Sequence, residues 1–456
     1  MKADLIILGA GPAGMAAARV AAEQGISVLM LDEQPRAGGQ IYRDVARAAP
    51  LRGTMLGAEY TAGQALVAAL DHPGITHLGG ARVWDVTATR VSFVREGRGQ
   101  VAEGRRLLIA TGALERPMPL PGWTLPGVMT AGAAQILMKQ SGVVHERAVL
   151  VGAGPLLYLV AVQLVRAGMP PMALVETCGL RDAARALGAL PRALFGAATL
   201  AKGGSLLAEL RRAKIMRFRG ATDIEVLGDT AAQALRFRQG RHRHRLACDT
   251  ILLHHGVIPD TRITGALRLP HRWDARQQAF RPVADRWGRV AAGVFVAGDG
   301  AGIGGAKAAA LRGELAALEI AHDLGALGHD GRDLLSRVPR LKLRLELAPR
   351  AFLDRAFPPS RQALAPRDDT LVCRCEEVSA GEIRRAVACG ATGPNQAKAF
   401  TRAGMGPCQG RYCGPVLTRI IADATGRNED ETGALRNRAP LVPVTLGVLA
   451  ASARDL

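Results

Sequence analysis

Four cysteines fall in two close pairs near the C-terminal end, Cys373-Arg-Cys375 and Cys408-Gln-Gly-Arg-Tyr-Cys413, with 32 residues between the pairs. Thiolates so grouped can hold a zinc ion or an iron–sulfur cluster. One residue between the first two is not the usual spacing of structural zinc, which favours two to four. Gly404, Gly406, Gly410 and Gly414 surround the second pair, letting backbone N–H groups approach the sulfurs and, in a cluster, tune its potential. Between the pairs, Ser379-Ala-Gly-Glu382 has the form of a capping box, opening a helix to about Cys389. Cys389 lies outside both pairs and is read as packing. Cys178 and Cys248 stand alone, as small buried hydrophobes do.

A second chemistry is written at the N-terminus. The apolar run Asp4 to Leu8 meets Gly9-Ala10-Gly11-Pro12-Ala13-Gly14, then an Ala-rich stretch (Met15 to Gln24) and a second apolar run, Ile26 to Leu31, ending at Asp32-Glu33. Strand, GxGxxG, helix, strand and acid is the order of a dinucleotide-binding unit. Gly9 permits the tight turn, Gly11 the approach of a pyrophosphate, and Gly14 close packing of helix on strand. The helix N-terminus offers free N–H groups and its dipole to the phosphates, and Asp32 is placed to accept from a ribose hydroxyl.

The elements that must position these groups need a chain of several domains. The 456 residues are 48% hydrophobic, which sets disorder aside and leaves room for two or three cores. Seven cysteines are too few for a secreted disulfide scaffold. The N-terminus lacks the layout of a signal peptide and no apolar run reaches the ~18 residues of a membrane span, so a cytoplasmic location is expected, with peripheral attachment to the inner membrane its variant. The net charge is +19, and seven of the 59 basic residues are Lys. The densest run, Arg236 to Arg245, is not interleaved with several aromatics, and aromatics make up 4% of the chain. Base stacking is poorly served by that composition, so no nucleic-acid partner is expected.

Further segments distinguish among dinucleotides. Leu107 to Gly112 read LLIATG, and Val294 to Ala297 run into Gly298-Asp299 and another Ala-rich helix. This pattern resembles the glutathione-reductase-like flavoproteins with two dinucleotide-binding domains. The resemblance implies an α/β fold in which an FAD domain carries an inserted NAD-like domain. It also implies FAD held by Gly9, Gly11, Pro12, Ala13, Gly14, Asp32, Glu33, Gly39, Gln40, Thr111, Gly112, Gly298 and Asp299. A helix N-cap is the plainer reading of Asp299. Ala148 to Gly168 repeat the scheme as Gly152-Ala153-Gly154-Pro155-Leu156-Leu157, with Glu176 closing the next strand. Leu157 in place of the third glycine should hold the helix off the strand and spoil the pocket, so NAD(P) binding is doubtful; were it to bind, Glu176 would favour NAD over NADP. His254-His255, after a buried run, reads as a polar strand end. Neither flavin half holds a CxxC or CxxxxC pair, which excludes a disulfide reductase.

The boundaries expected are 1–115 with 270–325 for the FAD domain, 116–269 for the insert, 326–369 for a helical linker, 370–426 for the cysteine domain and 427–456 for a tail. The sequences CRCEEV and TRAGMGPCQGRYC resemble the [2Fe–2S] domain related to bacterioferritin-associated ferredoxin, which implies Cys373, Cys375, Cys408 and Cys413 as cluster ligands. With LDEQPRAGGQIYR and GMGPCQGRYCGP, nearly the whole chain resembles the A (alpha) subunits of heteromeric dye-linked amino-acid dehydrogenases, among them opine oxidases, D-hydroxyproline dehydrogenase and the hydrogen cyanide synthase B type. That resemblance implies a catalytic partner of the B type, an FAD protein of D-amino-acid-oxidase type that oxidises the C–N bond. It also implies, in some relatives, an FMN at an interface between chains and a small third subunit, with a quinone or other carrier as acceptor. Catalytic residues on this chain are not assigned. The rival classes are a self-sufficient NAD(P)H-dependent flavin and iron–sulfur reductase, and a non-catalytic FAD-binding scaffold with zinc at its end.

Overall fold

The computed structural model describes residues 1–453. Strand β1 (Lys2–Leu8) lies between β2 (Val28–Asp32) and the long strand Arg98–Ile109, parallel to both. A continuous apolar run suits such a strand because both faces of a parallel sheet are covered; Leu5 to Leu8 are fully buried. The sheet has eight strands, with Ile75–Gly79 beyond β2, Val294–Val296 beyond Arg98–Ile109, and a hairpin (Arg82–Val86, Arg90–Arg95) at its side. Helix α1 (Pro12–Glu23) follows the glycine turn. A Cβ on Gly14 would lie 1.9 Å from the Gly9 carbonyl oxygen, so only glycine lets this helix sit so close.

The chain leaves this half through Ala113–Glu115 and returns through Val257–Pro259, which pair antiparallel. Between them, β3 (Ala148–Gly152), α2 (Pro155–Arg166) and β4 (Ala173–Glu176) repeat the opening unit. Their parallel sheet runs in the order Met216–Arg219, β4, β3, Thr250–His254, Val128–Thr130. The strands Ala221–Leu227, Ala234–Gln239 and His242–Ala247 form a smaller antiparallel sheet, sharing a core of Ile224, Leu235, Phe237, Val149 and Val151. The densest basic run is this hairpin. Its alternation turns Phe237 inward, while Arg236 and Arg238 reach Glu225 and Asp223 on the adjacent strand.

Residues after the second half form two helices, α3 (Ala306–Asp323) and α4 (His329–Leu347). Gly325, at φ +79°, turns the chain between them. The cysteine domain has its own core of Val372, Ile383, Leu417 and Ile421, supplied by α5 (Ala380–Ala388), α6 (Pro394–Thr401) and α7 (Gly414–Thr425). The indole N–H of Trp123 donates to the Leu371 carbonyl at 2.7 Å, and the Arg374 guanidinium lies 5.4 Å from that ring. The segment after α7 also packs: Asp430 accepts from the Trp273 N–H at 2.6 Å, and the Leu441 N–H donates to the Trp84 carbonyl at 2.7 Å. Among the described residues no helix is long and apolar enough to cross a membrane.

Candidate functional site: a dinucleotide cavity and a four-thiol loop

A cavity of about 1580 Å³ opens at the C-terminal ends of both parallel sheets. This is where open α/β sheets bind ligands. Gly9, Gly11, Pro12, Ala13, Asp32, Glu33, Gly39, Gln40, Thr111, Gly112, Gly298 and Asp299 all line it. Gly14 does not; it lies beneath the turn, where it seats α1. The Asp32 carboxylate accepts the Ala10 N–H at 2.6 Å through Oδ2 and the Gln34 N–H at 2.7 Å through Oδ1. Burial raises its pKa against those two donors. Asp32 therefore holds the turn together, and the neighbouring Glu33 is the exposed carboxylate on the cavity wall. Asp299 accepts from the N–H groups of Gly304 and Gly305 through Oδ1, at 2.8 and 3.0 Å. It thus caps the loop that leads into α3, and its Oδ2 is the oxygen not used by that loop.

Among the described residues, five that line this cavity carry a buried side-chain atom with no partner in the protein: the Thr111 hydroxyl and Nε of Arg43, Arg116, Arg350 and Arg411. Buried polar atoms normally find one, so these orphans fit a bound polar ligand. Arg43 carries no signal in the sequence; nor does Lys139, which is 2% exposed and donates to the carbonyls of Gln40 and Ile41 at 3.2 and 2.9 Å. Burial and the nearby Arg43 lower the Lys139 pKa to about 7.

The second glycine turn also borders the cavity, but its surroundings differ. The first turn of α1 closes with the Met15 N–H on the Gly11 carbonyl, whereas α2 opens with the tighter Leu157 N–H to Gly154 bond. Leu157 is fully buried, so the extra side chain is absorbed by altering that first turn. Glu176 is no free acceptor: it is 1% exposed, takes the Tyr158 hydroxyl, and is bridged by Arg217 at 2.9 and 3.1 Å. The preference for NAD over NADP read from Glu176 therefore has no basis, because its charge is already matched. His254 is more than a polar strand end: its Nδ1 lies 2.6 Å from Oε1 of Glu115. His255 is wholly buried, placing Nε2 2.7 Å from the Pro117 carbonyl and accepting the Ser360 N–H on Nδ1 at 3.1 Å. Burial and the Arg116 charge keep its pKa well below the ordinary value, which fixes a neutral ring.

The four cysteines lie near one another as two pairs. The Cys373 thiol neighbours that of Cys413, and the Cys375 thiol that of Cys408. Among the described residues no three His, Cys, Asp or Glu side chains gather as they would around one ion; the chain offers two thiol pairs. The contact with Cys413, followed by N–H groups of Gly404, Glu376 and Cys375, lowers the Cys373 pKa to about 6. A Cβ on Gly406 would fall 2.3 Å from Cβ of Cys375, so a glycine is required where this loop crosses the first pair. Cys389 corrects the packing expectation: α5 ends at Ala388, Gly390 at φ +100° turns the chain, and Cys389 is left exposed at the rim. Burial raises the Cys178 and Cys248 thiols to about 12 and 11, in keeping with inert packing. Arg411 and Tyr412, just before Cys413, line the dinucleotide cavity together with Leu441 and Val442. Thiol loop and nucleotide site thus share a wall.

Comparison with known proteins agrees with this anatomy. Residues 3–323 match the pyridine nucleotide-disulphide oxidoreductase family, and residues 367–453 match the sarcosine oxidase A3 domain. The chain is 42% identical to the A subunit of opine oxidase from Agrobacterium tumefaciens (strain Ach5), over 98% of this chain and 91% of that one. It is 32% identical to the HcnB subunit of hydrogen cyanide synthase from Pseudomonas protegens, over 100% and 99%. Its fold is like that of L-proline dehydrogenase from P. horikoshii, with a TM-score of 0.72 at 20% identity, covering 98% of this chain and 79% of that one. The chain belongs to the pyridine nucleotide-disulphide oxidoreductase family and, within it, to the A-type subunits of heteromeric dehydrogenases, as an FAD-dependent oxidoreductase.

Proposed function

We propose that this chain is the electron-transfer subunit of a heteromeric amino-acid dehydrogenase, receiving electrons from a C–N bond oxidised on a partner flavoprotein. The substrate would be a secondary amino acid such as an opine or D-hydroxyproline, and the acceptor a quinone or similar carrier. The reading is carried by one observation: the loop bearing Arg411 and Tyr412, next to Cys413, forms part of the wall of the cavity that begins at Gly9. A group held by the thiols and a nucleotide held by the glycine turn would be neighbours on one chain.

In this reading FAD lies along the first turn. The groups that would hold it are the amides of α1, Arg43, Glu33, Thr111 and the Asp299 oxygen not used by its loop, all on the cavity wall. Cys373, Cys375, Cys408 and Cys413 would hold a [2Fe–2S] cluster, and the amides of Gly404 and Glu376, which act on the Cys373 thiol, would stabilise its thiolate form. Bound, the two groups convert a two-electron transfer into single-electron steps; the chain's own work is to hold, orient and shield them. The partner is of D-amino-acid-oxidase type, with an interface FMN and a small third subunit as further members of the assembly.

Co-expression with the partner flavoprotein, followed by metal, sulfide and flavin analysis of the complex, tests this. Iron and sulfide in equal amounts, and dye reduction with an opine, D-hydroxyproline, D-proline or glycine, are expected. Stoichiometric zinc without sulfide would remove the cluster, and rapid flavin bleaching by NADH without the partner would replace the relay with a self-sufficient reductase.

A further inference from the structure

The two glycine turns differ most in the space above their second glycine. That glycine lacks a side chain so that a pyrophosphate can come close. At Gly11 a Cβ would meet only the Gly39 Cα, at 3.8 Å, and the approach is open. At Gly154 a Cβ would meet Nε2 and Cδ2 of His254 at 3.1 and 3.2 Å. The imidazole is 3% exposed and firmly held. Its Nδ1 is bound to Glu115, whose other oxygen accepts the Gly132 N–H at 2.8 Å. What stands over the second turn is therefore a fixed side chain from the end of the neighbouring strand.

The ribose end shows the same substitution. An acid at the end of the second strand of such a unit ordinarily accepts ribose hydroxyls. Here the Tyr158 hydroxyl occupies Glu176 and Arg217 takes both its oxygens. Burial and Glu176 push the Tyr158 pKa up, so this hydroxyl stays a donor. The ring is braced by the Arg217 guanidinium at 5.4 Å and by the edge of Phe357 at 5.8 Å. Displacing Tyr158 would leave a buried carboxylate–arginine pair to be re-satisfied, which is costly.

We propose that the inserted domain is closed to pyridine nucleotides by the chain's own side chains: the Tyr158 hydroxyl stands on Glu176 in place of a ribose hydroxyl, and the His254 imidazole stands over Gly154 in place of a pyrophosphate. Tyr158 and His254 are then the specificity-determining residues of this chain against NAD(P)H. The inference is independent of the relay reading, since a chain fed by a partner could equally well keep an open nucleotide site.

The test is calorimetric titration of the flavin-loaded protein with NADH, NADPH and ADP-ribose, the last lacking the nicotinamide. The wild-type chain should bind each more weakly than about 1 mM, a free energy of about 4 kcal/mol at most. The double variant Tyr158→Ala/His254→Ala should gain at least about tenfold in affinity for ADP-ribose and NADH, while His254→Gln, which refills the space over Gly154 and leaves the Tyr158 hydroxyl on Glu176, should remain closed. Micromolar binding by the wild type overturns the proposal. So does a double variant that retains its flavin and its thermal transition yet gains nothing. If the double variant fails to fold, His254→Ala alone carries the decision: it frees the approach to Gly154, and no gain in ADP-ribose affinity there also overturns the proposal.

Discussion

Lys139 brings an ammonium group to a place where its partners are an amide and two carbonyls. Its Nζ donates to Oε1 of Gln135 at 2.8 Å and to the carbonyls of Ile41 and Gln40, and among the described residues no carboxylate pairs with it. Its folded pKa of about 7 lies below the ordinary lysine value of about 10.4. Between these values the unfolded chain binds the extra proton, so stability rises with pH across that window, by about 1.4 kcal/mol per pH unit, and the whole penalty is present below pH 7. Lys139→Met should flatten this slope in thermal unfolding followed from pH 6.5 to 9; an unchanged slope would place the titration elsewhere. Residues of this kind are hidden in the sequence for a physical reason. Gly9, Gly11 and Asp32 announce themselves because the turn they make is local. Lys139 and Glu115 acquire their surroundings from segments about 99 and 139 residues away, which no local pattern records. Asp32 is legible as a site residue, yet its oxygens serve the turn and the exposed acid is one position on.

Local devices at the scale of elements are more legible. Ser379-Ala-Gly-Glu382 does form a capping box: Ser379 accepts the Glu382 N–H at 3.3 Å, and Glu382 accepts the Ser379 N–H at 2.8 Å. Both partners lie within one turn, so the sequence contains the whole interaction. Ser379→Ala should cost about 1 kcal/mol, read as a lower melting temperature of the thiol domain with its thiols still titratable. Gly406→Ala should do more, because the new Cβ would strike Cβ of Cys375 and push the loop off the first pair; under the proposed cluster assignment the expected outcome is a sharp loss of iron in a chain that keeps its flavin. The chain from Ala306 to Leu347 is two helices, α3 and α4, because Gly325 reverses it after Leu324. A glycine inside a helical pattern signals both tolerance and termination, and only packing of α3 against α4 decides between them.

Across the whole molecule, the C-terminal domain is held to both flavoprotein halves rather than hanging from a linker. Trp123 of the insert grips Leu371, Trp273 of the first half meets Asp430, and Trp84 meets Leu441. Trp123→Phe removes one buried hydrogen bond, about 1 kcal/mol with the orphaned carbonyl adding to it. Faster proteolytic cutting between residues 357 and 366 is expected, and an unchanged rate would show that the other two contacts suffice. The two parallel units are readable in the sequence because each repeats strand, turn, helix and strand in order. The clasp is not, since Trp273 and Asp430 are 157 positions apart, and residues 427–453, expected as a tail, include a capped helix at Glu429–Thr432.

The shared wall of Arg411, Tyr412, Leu441 and Val442 has a consequence in time. With these residues on the same wall as Glu33, release of a bound flavin is expected to depend on the thiol loop and the returning chain as well as on the flavin's own contacts. Flavin release, followed by its fluorescence on dilution, should therefore be slower from a chain whose thiols are occupied than from the same chain stripped of iron.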